Sequence, residues 1–227
     1  MDARQLNAEV YEEKYRQGFG LTYPESHIIR VHRQILEWEL KIACGSMFDF
    51  GCGSGGNLKY FTKQGFTPYG CDTSATAVAG ARALLPEHAA RIVVTPLVPD
   101  LPALFPGLAV DLFLSNQVLY YLEDRDIRRI VDGAHALVRP GGVFVATMMA
   151  RSCWYARYMT ERVGDFSRVV LDTPRQRETM LINFKEREEL PALFSPFRPL
   201  HVGFYTWQIR EEEGAHDHWV FVGAREG

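Results

Sequence analysis

Three features of this 227-residue chain predict a doubly wound α/β fold, an open and mostly parallel sheet with helices on both faces. Short apolar runs alternate with helix-patterned segments between residues 47 and 149, the rhythm of parallel strands joined by crossover helices. A glycine cluster, FGCGSGGN (50–57), separates the first of those strands from the first of those helices. Two late apolar runs, HVGFYTWQI (201–209) and HWVFVGA (218–224), stand too close for a crossover helix and read as a hairpin.

The elements follow in order. Residues 4–17 read as a first helix. Ser26 is placed to cap a second, in which Ile28, Val31, Ile35, Trp38 and Ile42 fall on one apolar stripe. MFDF (47–50) is a first strand, GNLKYFTKQ (56–64) a helix, and FTPYGCD (66–72) a second strand, whose Pro68 pushes pairing towards Tyr69–Cys71. Thr73 or Ser74 caps the helix ATAVAGARALL (75–85). RIVVT (91–95) and VDLFLS (110–115) are the third and fourth strands. Asp124 caps a helix whose Ile127, Ile130, Val131, Ala134, Leu137 and Val138 share a face, and VFVATMM (143–149) is the fifth strand. Past residue 150 the rhythm breaks. Residues 151–164 look helical, SRVVL (167–171) and ETMLINF (178–184) suit a small antiparallel pair, and a short helix near 185–194 is interrupted by Pro191. The chain thus reads as a single domain, 1–227: an N-terminal helical cover (1–44), a core (45–150), an insertion (151–196) and the final two strands (197–227).

Composition excludes several classes of function. At roughly 150 residues per domain, the length suits one domain with additions. The chain is 47% hydrophobic and 23% charged, the balance of a soluble globular protein. Twenty-eight acids against 25 bases leave a net charge of −3, which argues against nucleic acid as the partner. No apolar run reaches about 18 residues, so no membrane span is expected. The polar opening MDARQLNAEVYEEKYRQG is no signal peptide. The cysteines at 44, 52, 71 and 153 have no paired spacing, as expected of reduced thiols in a cytoplasmic protein. His216 and His218 share a strand face, but CxxC and HxxxH signatures are missing and no metal is expected.

The chemistry centres on FDFGCGSGGN (48–57). A glycine loop between strand and helix lets backbone pass close to a ligand, with helix N–H groups aimed at its polar parts. In open α/β sheets ligands bind beyond the carboxyl ends of the strands, where the strand order reverses. Asp72 ends the second strand 21 residues after Gly51, where an acid can accept both hydroxyls of a ribose. An adenosine-containing cofactor is therefore expected. Glycines alone do not choose which, because Gly51, Gly53 and Gly56 formally satisfy the GxGxxG of dinucleotide sites. Asp49 tilts the choice: a nicotinamide site usually has an apolar residue there, whereas a cofactor bearing an ammonium wants a carboxylate. The glycine turn of ALVRPGG (136–142), feeding the fifth strand, tilts it the same way.

In their order and spacing, FDFGCGSGGN, GFTPYGCDTSATAV, VDLFLSNQVLYYL and ALVRPGGVFVATM resemble the class I S-adenosylmethionine-dependent methyltransferases over roughly 45–150. The opening YEEKYRQGFGLTYPESHIIR is similar to leader segments of some small-molecule members, while 151–196 carries no such resemblance. The resemblance implies a Rossmann-like seven-stranded sheet, mostly parallel with its last strand antiparallel. It also implies S-adenosyl-L-methionine as cofactor and S-adenosyl-L-homocysteine as product. On the family pattern Gly51, Gly53 and Gly55, with Cys52 among them, wrap the methionine part, and Asp49 supports the loop and the ammonium. Asp72 takes the ribose hydroxyls, Thr73 lies beside the adenine, and Ser115 and Asn116 line the sulfonium region. Apart from that pattern, Tyr15 is a candidate lid, since an aromatic ring can close over a sulfonium. Members often place an acid after the third strand to read the adenine amino group. This chain has TPLVPDLP there, so Leu97 and Val98 are expected to read it through backbone groups, with Asp100 a few residues on. Asp111 is expected only to satisfy nearby backbone.

In-line displacement at a sulfonium needs alignment and exclusion of water more than acid–base chemistry, so no catalytic signature is required. His27 as a base, Tyr15 and Tyr120 are the catalytic candidates. Tyr11, Tyr23, Arg30, Gln117, Tyr121, Arg151, Trp154 and Tyr155 are candidates for contact with the acceptor. No [DNS]PP[YFW] follows the fourth strand, where SNQV stands, and no Pro-Cys nucleophile occurs, which disfavours nucleobase methylation. The expected acceptor is an oxygen or nitrogen of a small molecule or of a sugar or lipid intermediate. The Arg-rich stretch 162–178 suits a solvated face or contact with an acidic substrate. Two other functions compete: a non-catalytic S-adenosylmethionine-binding module and a nicotinamide-dependent dehydrogenase.

Overall fold

The computed structural model describes residues 3–173 and 176–227; Pro174 and Arg175, within the Arg-rich stretch, lie outside the described residues. The chain opens with helix α1 (Ala3–Arg16) and continues with α2 (Ser26–Arg30), which runs into a π-helical stretch, Val31–Glu39. Two expectations need correction there. Glu25, not Ser26, stands at the N-cap, because the helix takes Ser26 into its first turn. The wide turns, closed by Leu40 N–H on Ile35 C=O at 2.8 Å, rotate the apolar stripe, so Leu36 is buried while Trp38 is 75% exposed.

The alternation then runs as predicted: β1 (Gly45–Phe50), α3 (Gly56–Lys63), β2 (Phe66–Asp72), α4 (Ala75–Leu84), β3 (Ile92–Val94), α5 (Leu101–Leu104), β4 (Val110–Ser115), α6 (Asp124–Leu137) and β5 (Val138–Met149). Ser74 caps α4, its hydroxyl accepting from the Ala77 N–H at 3.0 Å. Glu123 stands at the N-cap of α6 in place of Asp124, whose carboxylate turns instead to Asn183 and Lys185. Asp111 accepts from the Ser46 N–H at 2.7 Å and pairs with Arg139, tying the start of β1 to β4 and β5. Pro68 pairs across to Met47 of β1, but β3 joins β2 only from Gly70, so the proline sits outside the stretch flanked on both sides.

The helix expected over 151–164 does not form. A short 3₁₀ turn at Trp154–Tyr158 leads into β6 (Met159–Val163), which pairs antiparallel with β7 (Phe166–Asp172), itself paired with β8 (Arg177–Ile182). Gly164, at φ +62°, makes the tight turn that converts the segment into a hairpin. Helix α7 (Leu190–Leu193) carries Pro191 in its first turn, where no N–H is missed, and β9 (Arg198–Trp207) and β10 (His216–Ala224) close the chain.

The seven-stranded sheet has the order β3-β2-β1-β4-β5-β10-β9, and β10 runs antiparallel to both of its neighbours. This is the Rossmann-like doubly wound architecture implied by the sequence. On one face Phe48, Phe113 and Phe144 stack in line, with centroids 5.4 and 5.6 Å apart, beneath Ile127, Ile130 and Val131 of α6. On the other, Met47, Leu112 and Val145 pack under α3, α4 and the N-terminal cover. Strand order reverses between β1 and β4, and their carboxyl ends open there.

The three-stranded insertion is bolted to both neighbours. Asn7 of α1 donates to the Leu181 carbonyl at 2.8 Å and accepts from the Leu181 N–H at 3.0 Å. Lys185, 5% exposed, meets Asp124 at 2.7 Å, with Glu189 at 3.8 Å. Asp124→Ala would leave a buried ammonium poorly compensated, and is expected to cost about 2–4 kcal/mol. Adding Lys185→Met should recover most of that loss, as urea unfolding of the single and double variants would show.

Candidate active site

A cavity of about 230 Å³ lies at the reversal of strand order, walled by the glycine loop, the ends of β2 and β4, and the cover. The loop is shaped by contacts that exclude side chains. A Cβ on Gly51 (φ +75°) would stand 2.3 Å from a Val118 methyl, and one on Gly53 (φ +51°) 2.5 Å from the Tyr15 hydroxyl. The N–H groups of Gly51 and Cys52 both donate to the Cys71 carbonyl, at 2.9 and 3.0 Å, locking the loop onto the end of β2.

Asp72 sits on that end. Its carboxylate accepts from the Gly53 N–H and the Ser74 N–H, each at 2.8 Å, so one side chain holds the glycine loop and the turn into α4 together. Burial lifts its carboxyl above the ordinary value, opposed by the N–H groups of Ser74, Gly53 and Thr73. Asp49 lies beneath the loop rather than on the cavity wall, fully buried, with no hydrogen bond of ordinary geometry to either oxygen among the described residues. Burial pushes its carboxyl up to about 8, with Asn57 acting downward and Asp72 upward. Cys52 is buried in the loop, and its thiol is pushed well up by burial, as suits a packing residue.

The cover reaches across this floor. Glu12 accepts from the hydroxyls of Ser74 and Thr76, both at 2.6 Å, which clamps α1 to the start of α4 and lays Tyr15 over Gly53. Tyr11 and Tyr121 meet hydroxyl to hydroxyl at 2.6 Å on the cavity wall, and Tyr23 stands at its mouth, 58% exposed. Gln117 lies in the left-handed region (φ +59°), held by its N–H on the Thr147 hydroxyl at 2.7 Å. Its amide donates to Glu25 at 2.8 Å and to the Tyr205 hydroxyl at 3.1 Å. Asn116 faces the cavity and is backed by His27, whose Nε2 is 2.8 Å from its carbonyl oxygen.

Of the residues singled out in the sequence, the structure brings Tyr11, Tyr15, Tyr23, Gly51, Cys52, Gly53, Asp72, Thr73, Leu97, Asn116, Gln117 and Tyr121 to this wall. Gly55 stands at the N-cap of α3, behind the loop. Several candidates lie elsewhere. Ser115 is buried with its hydroxyl on the Phe50 carbonyl at 3.4 Å, and Val98 packs against the α6-side core. His27 stacks on Tyr205 at 3.7 Å behind Asn116, and burial pushes its imidazole down to about 4. Tyr120 is buried against His218, and Arg30 is exposed on α2. Arg151 pairs with Glu186 and Glu189 at the surface, Trp154 donates to His216 at 2.8 Å, and Tyr155 contacts Gln176. Among the described residues of the insertion, none lines the cavity, and the insertion backs the cover.

Sequence reasoning missed Glu25, Asn7, Phe19, Asn57 and Thr95, which all reach the wall. Glu25 had a local signal: in YPESH it is the acid two residues before His27. Asp100 is exposed and absent from the wall. Asp100→Ala is accordingly expected to leave the affinity for S-adenosyl-L-homocysteine unchanged within about twofold, by calorimetric titration.

Comparison with known proteins covers the segment that carries the glycine loop, Asp72 and Asn116. Residues 48–146 match the family model described as a methyltransferase domain. An uncharacterized methyltransferase of Synechocystis sp. is 30% identical over 123 residues, which are 54% of this chain and 55% of the relative. The chain thus matches about half the length of that curated relative. A solved S-adenosylmethionine-dependent methyltransferase from Anabaena variabilis superposes with a TM-score of 0.70 at 12% identity, covering 99% of this chain and 95% of that one. One from Clostridium acetobutylicum does so with a TM-score of 0.65 at 11% identity, covering 97% and 98%. At those identities the likeness is one of fold.

Proposed function

We propose that this chain is a class I S-adenosylmethionine-dependent methyltransferase that methylates an oxygen or nitrogen of a small molecule, a reading supported by the match of residues 48–146 to a methyltransferase-domain model and by the shared fold. The observation that carries the proposal is the pairing of Asp72 with the glycine loop over the buried Asp49, on one cavity at the reversal of strand order.

The residues fit the cofactor. Asp72 keeps acceptor capacity beyond the two N–H groups it holds, enough for a ribose diol at the cavity edge. Thr73 and Leu97 flank the place for adenine, and the loop from Gly51 to Gly55 takes the methionine part. Asp49 beneath supplies the negative charge an ammonium needs once desolvated. Bound there, S-adenosyl-L-methionine supplies a methyl group already activated by its sulfonium. The chain's own residues orient and enclose. Asn116 faces the sulfonium region, held by His27 and the Thr147 hydroxyl, and the Tyr15 ring closes over the loop from above. His27 acts through Asn116 and Glu25 and does not reach the wall itself.

A thermal-shift comparison followed by transfer of labelled methyl to a small-molecule panel tests this. Stabilisation by S-adenosyl-L-homocysteine and not by NAD, with label on an acceptor, is expected. Stabilisation by NAD would restore the dehydrogenase, and tight binding without transfer to any acceptor would mark a non-catalytic module.

A further inference from the structure

We infer that the acceptor is an amine, recognised through its positive charge by Glu25 and the aromatic rings of the cover. The inference rests on the methyl-transfer proposal and names its substrate class. Among the described residues around the cavity, the only charged side chains are Glu25 and Asp72; no Lys, Arg or His lines it. Asp72 belongs to the loop and the proposed ribose place, which leaves Glu25 as the charge on the side the acceptor must enter. Tyr11, Tyr15, Phe19, Tyr23 and Tyr121 line the same cavity, a wall of ring faces and edges. Two of these rings already carry ammonium groups: Lys59 Nζ stands 4.8 Å from the Tyr23 centroid, and Lys14 Nζ, paired to Glu178, 4.9 Å from that of Tyr11. An anionic acceptor would find no cationic side chain on the cavity wall to pair with, and Glu25 and Asp72 would repel it. A neutral hydroxyl acceptor would gain no charge attraction from the carboxylate on binding. An amine enters as a cation and leaves as a cation, so both the bound acceptor and the methylated product suit a carboxylate and ring faces.

Glu25 is also placed to take the proton that an ammonium must lose before it can attack. Its Oε2 accepts from Gln117 at 2.8 Å and lies 3.3 Å from His27 Nδ1. Because Nε2 of His27 faces the Asn116 carbonyl oxygen, Nε2 carries the hydrogen and Nδ1 presents a lone pair to Glu25. A proton on Glu25 would thus have an acceptor waiting. The sequence balances. R–NH₃⁺ gives its proton to the Glu25 carboxylate. The freed nitrogen lone pair forms the N–CH₃ bond as the S–CH₃ bond breaks onto sulfur. The products are R–NH₂⁺–CH₃ and the neutral thioether, and Glu25 later returns its proton to solvent.

The test uses the whole chain saturated with S-adenosyl-L-homocysteine, titrated with phenethylamine, 2-phenylethanol and phenylacetate. Phenethylamine should bind roughly tenfold or more tightly than phenylacetate, with the alcohol between them, and Glu25→Gln should bring the ratio close to one. Phenylacetate binding as well as the amine, no measurable amine binding, or a ratio unmoved in Glu25→Gln would overturn the inference. Homocysteine-cofactor affinity, measured on the same samples, separates the two levels: its loss in wild type sinks the methyltransferase proposal, whereas its retention without amine preference sinks only this one. If Glu25→Gln fails to bind the product and so has not folded, the wild-type ratio decides alone.

Discussion

Asp72→Asn is expected to weaken S-adenosyl-L-homocysteine binding by about a hundredfold. The estimate follows from what asparagine keeps. The amide retains one acceptor oxygen, loses the charge, and points a donor at groups that also donate. In the free protein the carboxylate accepts from the Gly53 and Ser74 N–H groups, so one of them is left without its acceptor. That should cost about 1 kcal/mol of stability, seen as a small fall in the urea midpoint. Two measurements therefore separate two roles. A large loss of affinity with a small loss of stability makes Asp72 a ligand for the ribose. Unchanged affinity with lowered stability would reduce it to the cap of a turn. Asp72→Ala, which leaves both N–H groups unanswered, should exceed Asp72→Asn in stability cost.

The difference between what was legible in the sequence and what was not is one of range. The β1–loop–α3–β2 unit declares itself locally: an apolar strand, glycines where the backbone turns positive in φ, and an acid at the next strand end. Each of those signals is satisfied within about 25 residues, and each survives in the structure. Trp38 misled because its stripe assumed 3.6 residues per turn, and the helix around it is wider. Residues 151–164 misled because strand pairing with a partner across a glycine turn outweighs weak helical patterning. The cavity wall is harder still. Glu25 reaches it only because Gln117, 92 residues on, takes a left-handed backbone and holds the carboxylate in place. Arg151, Trp154 and Tyr155 fail to reach it because the insertion leans on α1 through Asn7 and Leu181. Neither arrangement has a periodic signature, and both join segments far apart in the chain.

Asp49→Asn is expected to move stability and affinity in opposite directions, a combination that a merely structural residue does not produce. In the unfolded chain the Asp49 carboxyl ionises near its ordinary value of 3.8, whereas in the folded protein burial holds it to about 8. Below pH 3.8 both states carry the proton and the group is neutral to folding. As pH rises, the unfolded state gives up its proton first, so Asp49 progressively favours unfolding until about pH 8, where the folded state ionises too. Asparagine has no proton to lose. The variant should therefore be more stable than wild type at pH 7–8, by on the order of a few kcal/mol, and indistinguishable from it below about pH 4. Binding runs the other way. An ammonium placed over the loop pulls the Asp49 carboxyl back down and drives off its proton. Wild type should then release a fraction of a proton on binding S-adenosyl-L-homocysteine at pH 7, measured by titration in buffers of different ionisation enthalpy. Asp49→Asn should bind roughly ten- to a hundredfold more weakly and release none. If the variant instead loses stability at pH 7, the buried carboxyl is held by partners in the fold and is not kept in reserve for an ammonium.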